Sequence, residues 1–200
     1  MKFSIREDNL LEMYDRTTLE TALQALGDLL ADRGQPYVVV AIGGGALSLL
    51  GLIDRSTEDV DLVGLIVDEG LTSAQPLPAP LAEAIVDIAT LHHLQKKWMN
   101  GGPTSLVRLG LPHGFLDRCT RRQFGGLTVL FADRFDQIHL KLFAMSRPFD
   151  KHHHDLQRLT PTRDELLAAA AWARTQAVGE GFEMELRAAL NAFGVPIDDA

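Results

Sequence analysis

A single cysteine, Cys119, occurs in the 200 residues of this chain. That excludes an intrachain disulfide and a thiolate zinc site, and such sparing use of cysteine fits a reducing compartment. No run approaches the roughly 20 apolar residues that a membrane-spanning helix needs. The longest apolar stretches, Val38 to Ile42 and Leu127 to Ala132, are strand-sized. Residues Met1 to Asp8 hold no secretory h-region, so a cytoplasmic protein with no membrane partner is the expectation. Basic charge is also in short supply. Lys and Arg number 19 against 27 Asp and Glu, a net charge of −8. This argues against a general duplex-DNA binder while leaving room for a local basic cleft. Internal repeats and low-complexity tracts are absent. With 46% hydrophobic and 23% charged residues, the chain can bury a sizeable core.

The periodicities predict an α/β (α+β) protein: a small mixed β-sheet flanked by helices, with a helical C-terminal part. Thr17-Thr18-Leu19-Glu20 reads as a capping box, followed by Leu19, Leu23, Leu26 and Leu30 on one helical face. Tyr37 to Ile42 is β-branched and continuously apolar, the pattern of a strand buried on both faces. Leu81, Ala84, Ile85 and Ile88 mark a helix running to about Trp98, which Asn100-Gly101-Gly102-Pro103 breaks. Ser105 to Leu109 reads as a strand, as does the stretch ending at Phe131. Asp133 is placed to cap a helix whose stripe is Phe135, Ile138, Leu142 and Met145. Further helices are predicted over about 151–159, from the capping box Thr162 to Glu165 through about Ala177, and over about 182–193. No linker separates the α/β part (1–147) from the helical part (148–200), so a single domain is expected.

Three features within twenty residues carry chemistry. A buried strand runs into Gly43-Gly44-Gly45, a short helix closed by Gly51 follows, and a further turn leads to Asp59-Val60-Asp61. Glycines let backbone approach a ligand closely, and a helix start offers unpaired N–H groups and a positive dipole end. Together they suit a polyphosphate. Asp59 and Asp61, two apart on a strand, project from one face and suit Mg²⁺ or Mn²⁺. Neither a Walker loop nor a G-x-G-x-x-G fingerprint is present.

Ile42-Gly43-Gly44-Gly45-Ala46, Gly51, Arg55-Ser56-Thr57-Glu58 and Asp59-Val60-Asp61-Leu62 resemble the nucleotidyltransferase superfamily of polymerase β type. The resemblance extends to a bacterial branch around AbiEii-type toxins and small DUF6036-like proteins. Leu140-Lys141-Leu142-Phe143-Ala144, Arg147, Asp150 and Asp155-Leu156-Gln157-Arg158-Leu159 are similar to a second segment of that branch. The resemblance implies that Asp59 and Asp61 hold the metals. It likewise implies that Gly43, Gly44 and Gly45 bind the nucleotide, through the Gly43 and Gly44 amides on its phosphates, and that Lys141 reaches the triphosphate. The partners implied are an NTP, an RNA or protein acceptor and, for a toxin-like role, a cognate antitoxin-like protein.

Two residues depart from the family pattern. The superfamily's third carboxylate is missing: Ser105 to Leu109 holds no acid, none lies between Asp87 and Asp117, and Asp117 substitutes only if the register shifts. The first acid of the branch's "Asp-x-x-Asp-Leu" falls on His152. Two functions from different classes follow: a Mg²⁺-dependent nucleotidyltransferase, or a nucleotide-binding or toxin–antitoxin-like module of the same fold that has lost turnover.

Other groups read more plainly. The consecutive histidines His152 to His154 point in different directions and are expected to be exposed or to line the cleft rather than to bind zinc. Arg118, Arg121 and Arg122 are expected to pair with acids. Arg55 is expected to buttress the Asp59 strand by a salt bridge. Cys119, lacking an identifiable base, is a poor nucleophile.

Overall fold

Val39 and Ala41 pack with one layer of the molecule while Val40 and Ile42 pack with another, so β1 (Tyr37–Ile42) is buried on both faces as its unbroken apolar run predicts. The computed structural model describes residues 13–145 and 151–196. Met1 to Asp8, Arg147, Pro148 and Asp150, to which sequence readings were attached, lie outside the described residues. β1 sits mid-sheet, antiparallel to β2 (Val60–Val67) and parallel to β6 (Leu127–Phe131). The order is β3-β2-β1-β6-β5, with β3 (Gly70–Ser73) and β5 (Thr120–Phe124) as edges and the two-residue β4 (Met99–Asn100) parallel to β2. The sheet is therefore mixed and flanked by helices.

Leu19, Leu23, Leu26 and Leu30 of α1 (Arg16–Asp32) and Leu81, Ile85 and Ile88 of α3 (Ala79–Leu91) cover one face of the sheet. Phe115 from α5 (Phe115–Arg118) and Leu140 from α6 (Arg134–Ala144) lie against Val40, Ile42 and Val63 on the other. A further apolar cluster joins Ile138 and Leu142 of α6 and Leu47 of α2 (Gly43–Leu49) to the C-terminal helices α7 (Lys151–Arg158), α8 (Arg163–Gln176) and α9 (Glu180–Ala192). α6 thus lies between the sheet and the C-terminal helices. Among the described residues, no helix is long and apolar enough to cross a membrane.

The capping box at Thr162 and Glu165 is present with both reciprocal bonds, and the Asp133 side chain accepts from the Asp136 amide to cap α6. Three sequence expectations need correction. The helix expected to open at Thr17 starts at Arg16, because the Asp15 carboxylate accepts from the Thr18 amide and takes the capping role. Glu20 instead accepts from Arg16 and Arg122. α3 ends at Leu91 rather than near Trp98; the indole of Trp98 is fully buried and donates to the Ile85 carbonyl at 3.1 Å. Ser105 to Leu109 is a helix, α4, and not a strand. A 3₁₀ turn at Gly102–Thr104, with Pro103 in its opening, directs the chain into helical geometry.

Candidate functional site

β1 and β2 hold Ile42 opposite Asp61, which brings the end of β1, and with it the glycine turn, beside the second acid. Gly43 has φ +79°, and a Cβ there would stand 2.9 Å from Asp61 Oδ2. Glycine is therefore required both by the backbone and by the approach of the carboxylate. A Gly43→Ala substitution is expected to cost about 1–2 kcal/mol from its left-handed backbone alone, measurable as a lower melting temperature, and to displace Asp61 as well.

Asp59, Asp61, Gly43, Gly44 and Lys141 all line one cavity of about 330 Å³, together with Arg55, Gln137, Lys151 and His152 and an apolar wall that includes Leu106, Leu140 and Phe143. The size is that of a small-molecule site. Gly44 faces Arg55 and Thr57: a Cβ on it would meet Arg55 Nη2 at 2.8 Å and Thr57 Oγ1 at 3.1 Å. Gly45 does not line the cavity. Its missing side chain lets α2 lie on the start of β2, where a Cβ would come within 2.5 Å of the Asp59 carbonyl oxygen. The Gly43 amide is already engaged, donating to Gln137 Oε1 at 3.2 Å.

The two acids are half-buried like charges. Burial, and then the neighbouring Asp59, push the Asp61 carboxyl up to about 6. Burial likewise raises Asp59, against the hydrogen bond that Asn100 Nδ2 donates to its Oδ2 at 2.8 Å. Such a pair is poised to take a cation, and two carboxylates completed by water and substrate phosphates suit Mg²⁺ or Mn²⁺. Among the described residues, no third His, Cys, Asp or Glu joins them in a group that could hold a metal ion. The strand beside β2 on that side is β4, where the residue paired with Asp61 is the amide Asn100. Asp117 is exposed on α5 and does not line the cavity.

Lys141 is brought to the cavity by α6 and held by Asp155 of α7. Its Nζ donates to Asp155 Oδ2 at 2.7 Å, while Arg55 donates through Nε and Nη2 to both oxygens of the same carboxylate, each at 2.7 Å. The Asp155 side chain is fully buried and that of Lys141 is 7% exposed. Burial alone would raise the Asp155 carboxyl, but the hydrogen bonds and charges of Arg55 and Lys141 outweigh it and hold the group below the usual range. Burial lowers Lys141 from its ordinary value. Arg55 thus makes the expected salt bridge but with a different partner. It ties the loop ahead of β2 to α7, and the hydrogen bond to Asp59 comes from Asn100.

Sequence reasoning gave no role to Asn100, which it read only as a helix breaker, or to Gln137. Lys151 also had no role in it; in the structure the Lys151 ammonium favours the ionised forms of both Asp59 and Asp61. The histidines separate: His152 lines the cavity, His154 is exposed, and His153 is buried with its ring 5.0 Å from that of Phe193. Two members of the arginine cluster are committed to acids, Arg118 to both oxygens of the buried Asp136 and Arg122 to Glu20. Arg121 reaches Thr128 Oγ1 at 3.4 Å instead. Burial, with Asp136 and Asp133, pushes the Cys119 thiol up to about 12, which removes it as a nucleophile at neutral pH.

A family model described as "Nucleotidyltransferase of unknown function (DUF6036)" matches residues 17–161, a span that takes in the glycine turn, both acids, Lys141 and Asp155. Neither the curated proteins nor the solved structures gave a match. On the strength of the matched span, the chain belongs to the DUF6036 family of nucleotidyltransferases.

Proposed function

We propose that the chain transfers a nucleotidyl group from an NTP to an RNA or protein acceptor in a reaction requiring Mg²⁺ or Mn²⁺. The observation that carries this reading is the convergence of Asp59, Asp61, Gly43, Gly44 and Lys141 on one cavity. Asp59 and Asp61 would hold the divalent ion, with Asn100 fixing the orientation of Asp59. When bound, the ion would neutralise phosphate charge and align the reacting phosphorus with the attacking and leaving oxygens. The chain's own contribution is mainly electrostatic and positional. Lys141, oriented by Asp155 rather than left to rotate, would neutralise the leaving pyrophosphate. Gly44, at the start of α2, would bring its backbone close to the nucleotide phosphates, the Gly43 amide being held by Gln137. The apolar wall of Leu106, Leu140 and Phe143 gives the nucleoside a surface that excludes water.

Incubation with α-³²P-labelled NTPs, total RNA and lysate protein tests this. Metal-dependent label transfer is expected, falling at least about a hundredfold in Asp59→Ala/Asp61→Ala. Transfer that persists in that double variant contradicts the reading. The alternative, a nucleotide-binding module without turnover, is favoured by one observation: Asn100, an amide, is the residue paired with Asp61 on the adjoining strand. Metal-dependent nucleotide binding with no product in any acceptor screen would select it.

A further inference from the structure

Gln137 is fully buried on α6, and its two amide ends differ in their circumstances. Oε1 accepts the Gly43 N–H at 3.2 Å, which fixes the orientation of the amide. Nε2 is shielded from solvent and has no hydrogen-bond partner among the described residues, yet the residue lines the cavity that holds Asp59, Asp61 and Lys141. An unsatisfied buried donor costs about 1–3 kcal/mol, and native proteins retain few of them. The Gly43 N–H accounts for the oxygen end of this side chain, but no contact in the fold accounts for its nitrogen end.

We propose that Gln137 is a nucleotide-binding residue whose Nε2 donates to a non-bridging oxygen of the bound triphosphate. The inference rests on the nucleotidyltransferase reading of the cavity and deepens it. The Gly43 amide cannot serve a phosphate while Gln137 occupies it. Gln137 would replace that lost donor with its own: one end clamps the glycine turn, and the other, closed to solvent as the side chain stands, would meet a ligand oxygen after a small shift of the side chain into the cavity. A neutral donor also suits the position. Arg55 and Lys141 already share the single carboxylate of Asp155, and a third buried cation would add repulsion without adding direction. The geometry selects an acceptor-rich ligand, and the triphosphate, which must pass beside the glycine turn to reach Asp59 and Asp61, is the acceptor at hand.

The test uses the full-length protein, Mg²⁺ and inorganic tripolyphosphate. In ¹⁵N-labelled wild type, the assigned side-chain NH₂ resonances of Gln137 are expected to move on addition of Mg-tripolyphosphate. Gln137→Met is expected to bind Mg-tripolyphosphate about tenfold more weakly, with a nearly level melting temperature, because the orphaned Nε2 is gone while the Gly43 N–H loses its acceptor. If wild type binds Mg-tripolyphosphate while the Gln137 resonances stay fixed, or if Gln137→Met binds it equally well, the assignment is overturned and the reading of the cavity stands. If wild type binds neither Mg-tripolyphosphate nor Mg-NTP, both are overturned together. The resonance measurement needs no variant, so a Gln137→Met chain that fails to fold leaves the proposal exposed to refutation.

Discussion

Asp61→Asn is expected to make the metal-free protein more stable while abolishing nucleotidyl transfer. Burial and the adjacent Asp59 push the Asp61 carboxyl up to about 6, well above its ordinary value of 3.8. The folded state therefore holds the Asp61 proton more tightly than the unfolded chain. Its ionised form penalises folding above pH about 6, by up to about 3 kcal/mol, and the penalty is relieved as pH falls from about 6 toward 4. Asparagine removes the charge but keeps a similar shape, so a rise of about 5 °C in melting temperature at neutral pH is expected. The difference between wild type and variant should shrink across the same pH window. Divalent metal should stabilise wild type and not the variant, since a bound ion stabilises only the state that binds it. Calorimetric melts at pH 4.5 and 7.5, with and without Mg²⁺, check all of this. A variant less stable than wild type at pH 7.5 would refute the electrostatic description of the site.

Asp155→Asn is expected to have the opposite effect, costing about 3–5 kcal/mol and lowering the melting temperature by about 10 °C. Asp155 is the carboxylate shared by Arg55 and Lys141, and its loss strands the Lys141 ammonium in a nearly closed environment. Lys141→Met removes one of two cations and leaves Asp155 held by both of its contacts with Arg55. Its effect on stability should be small, within about 1 kcal/mol, because Arg55 still compensates the Asp155 charge and the buried ammonium, which burial disfavours, is removed with its desolvation cost. Under the proposed function its effect on transfer should be large. Thermal melts of both variants distinguish this asymmetry from a plain ion-pair contribution, in which the two losses would be alike.

Much of the candidate site was legible because the residues that converge on the cavity are local in sequence. Gly43, Gly44, Asp59 and Asp61 lie within nineteen positions of one another, and a strand–turn–helix–turn–strand unit brings such residues together by short connections. Lys141 was reached through family resemblance, since nothing in its own surroundings marks it. Hydrophobic periodicity identified one stripe of α6, through Ile138 and Leu142, but that helix is buried on more than one side. Asp136, Gln137, His139 and Lys141 are also inside, facing Arg118, the cavity or the C-terminal helices. Polar residues at those positions read as a solvated face when only one apolar stripe is sought. Arg55 and Asp155 are 100 positions apart, and no local pattern pairs them. Ser105 to Leu109 misled because five residues of mixed character fit either period; the turn built on Pro103 decided for helix. Asn100 was hidden for a similar reason, since Asn-Gly-Gly-Pro signals a break whether or not its first residue also pairs with a strand.

The most direct measurement is calorimetric titration of a non-hydrolysable NTP into the protein with and without Mg²⁺, repeated with Asp59→Ala/Asp61→Ala. The account predicts binding strengthened at least about tenfold by the metal in wild type and no metal effect in the double variant. Equal affinity with and without Mg²⁺ in wild type, or an undiminished metal effect in the double variant, would contradict it.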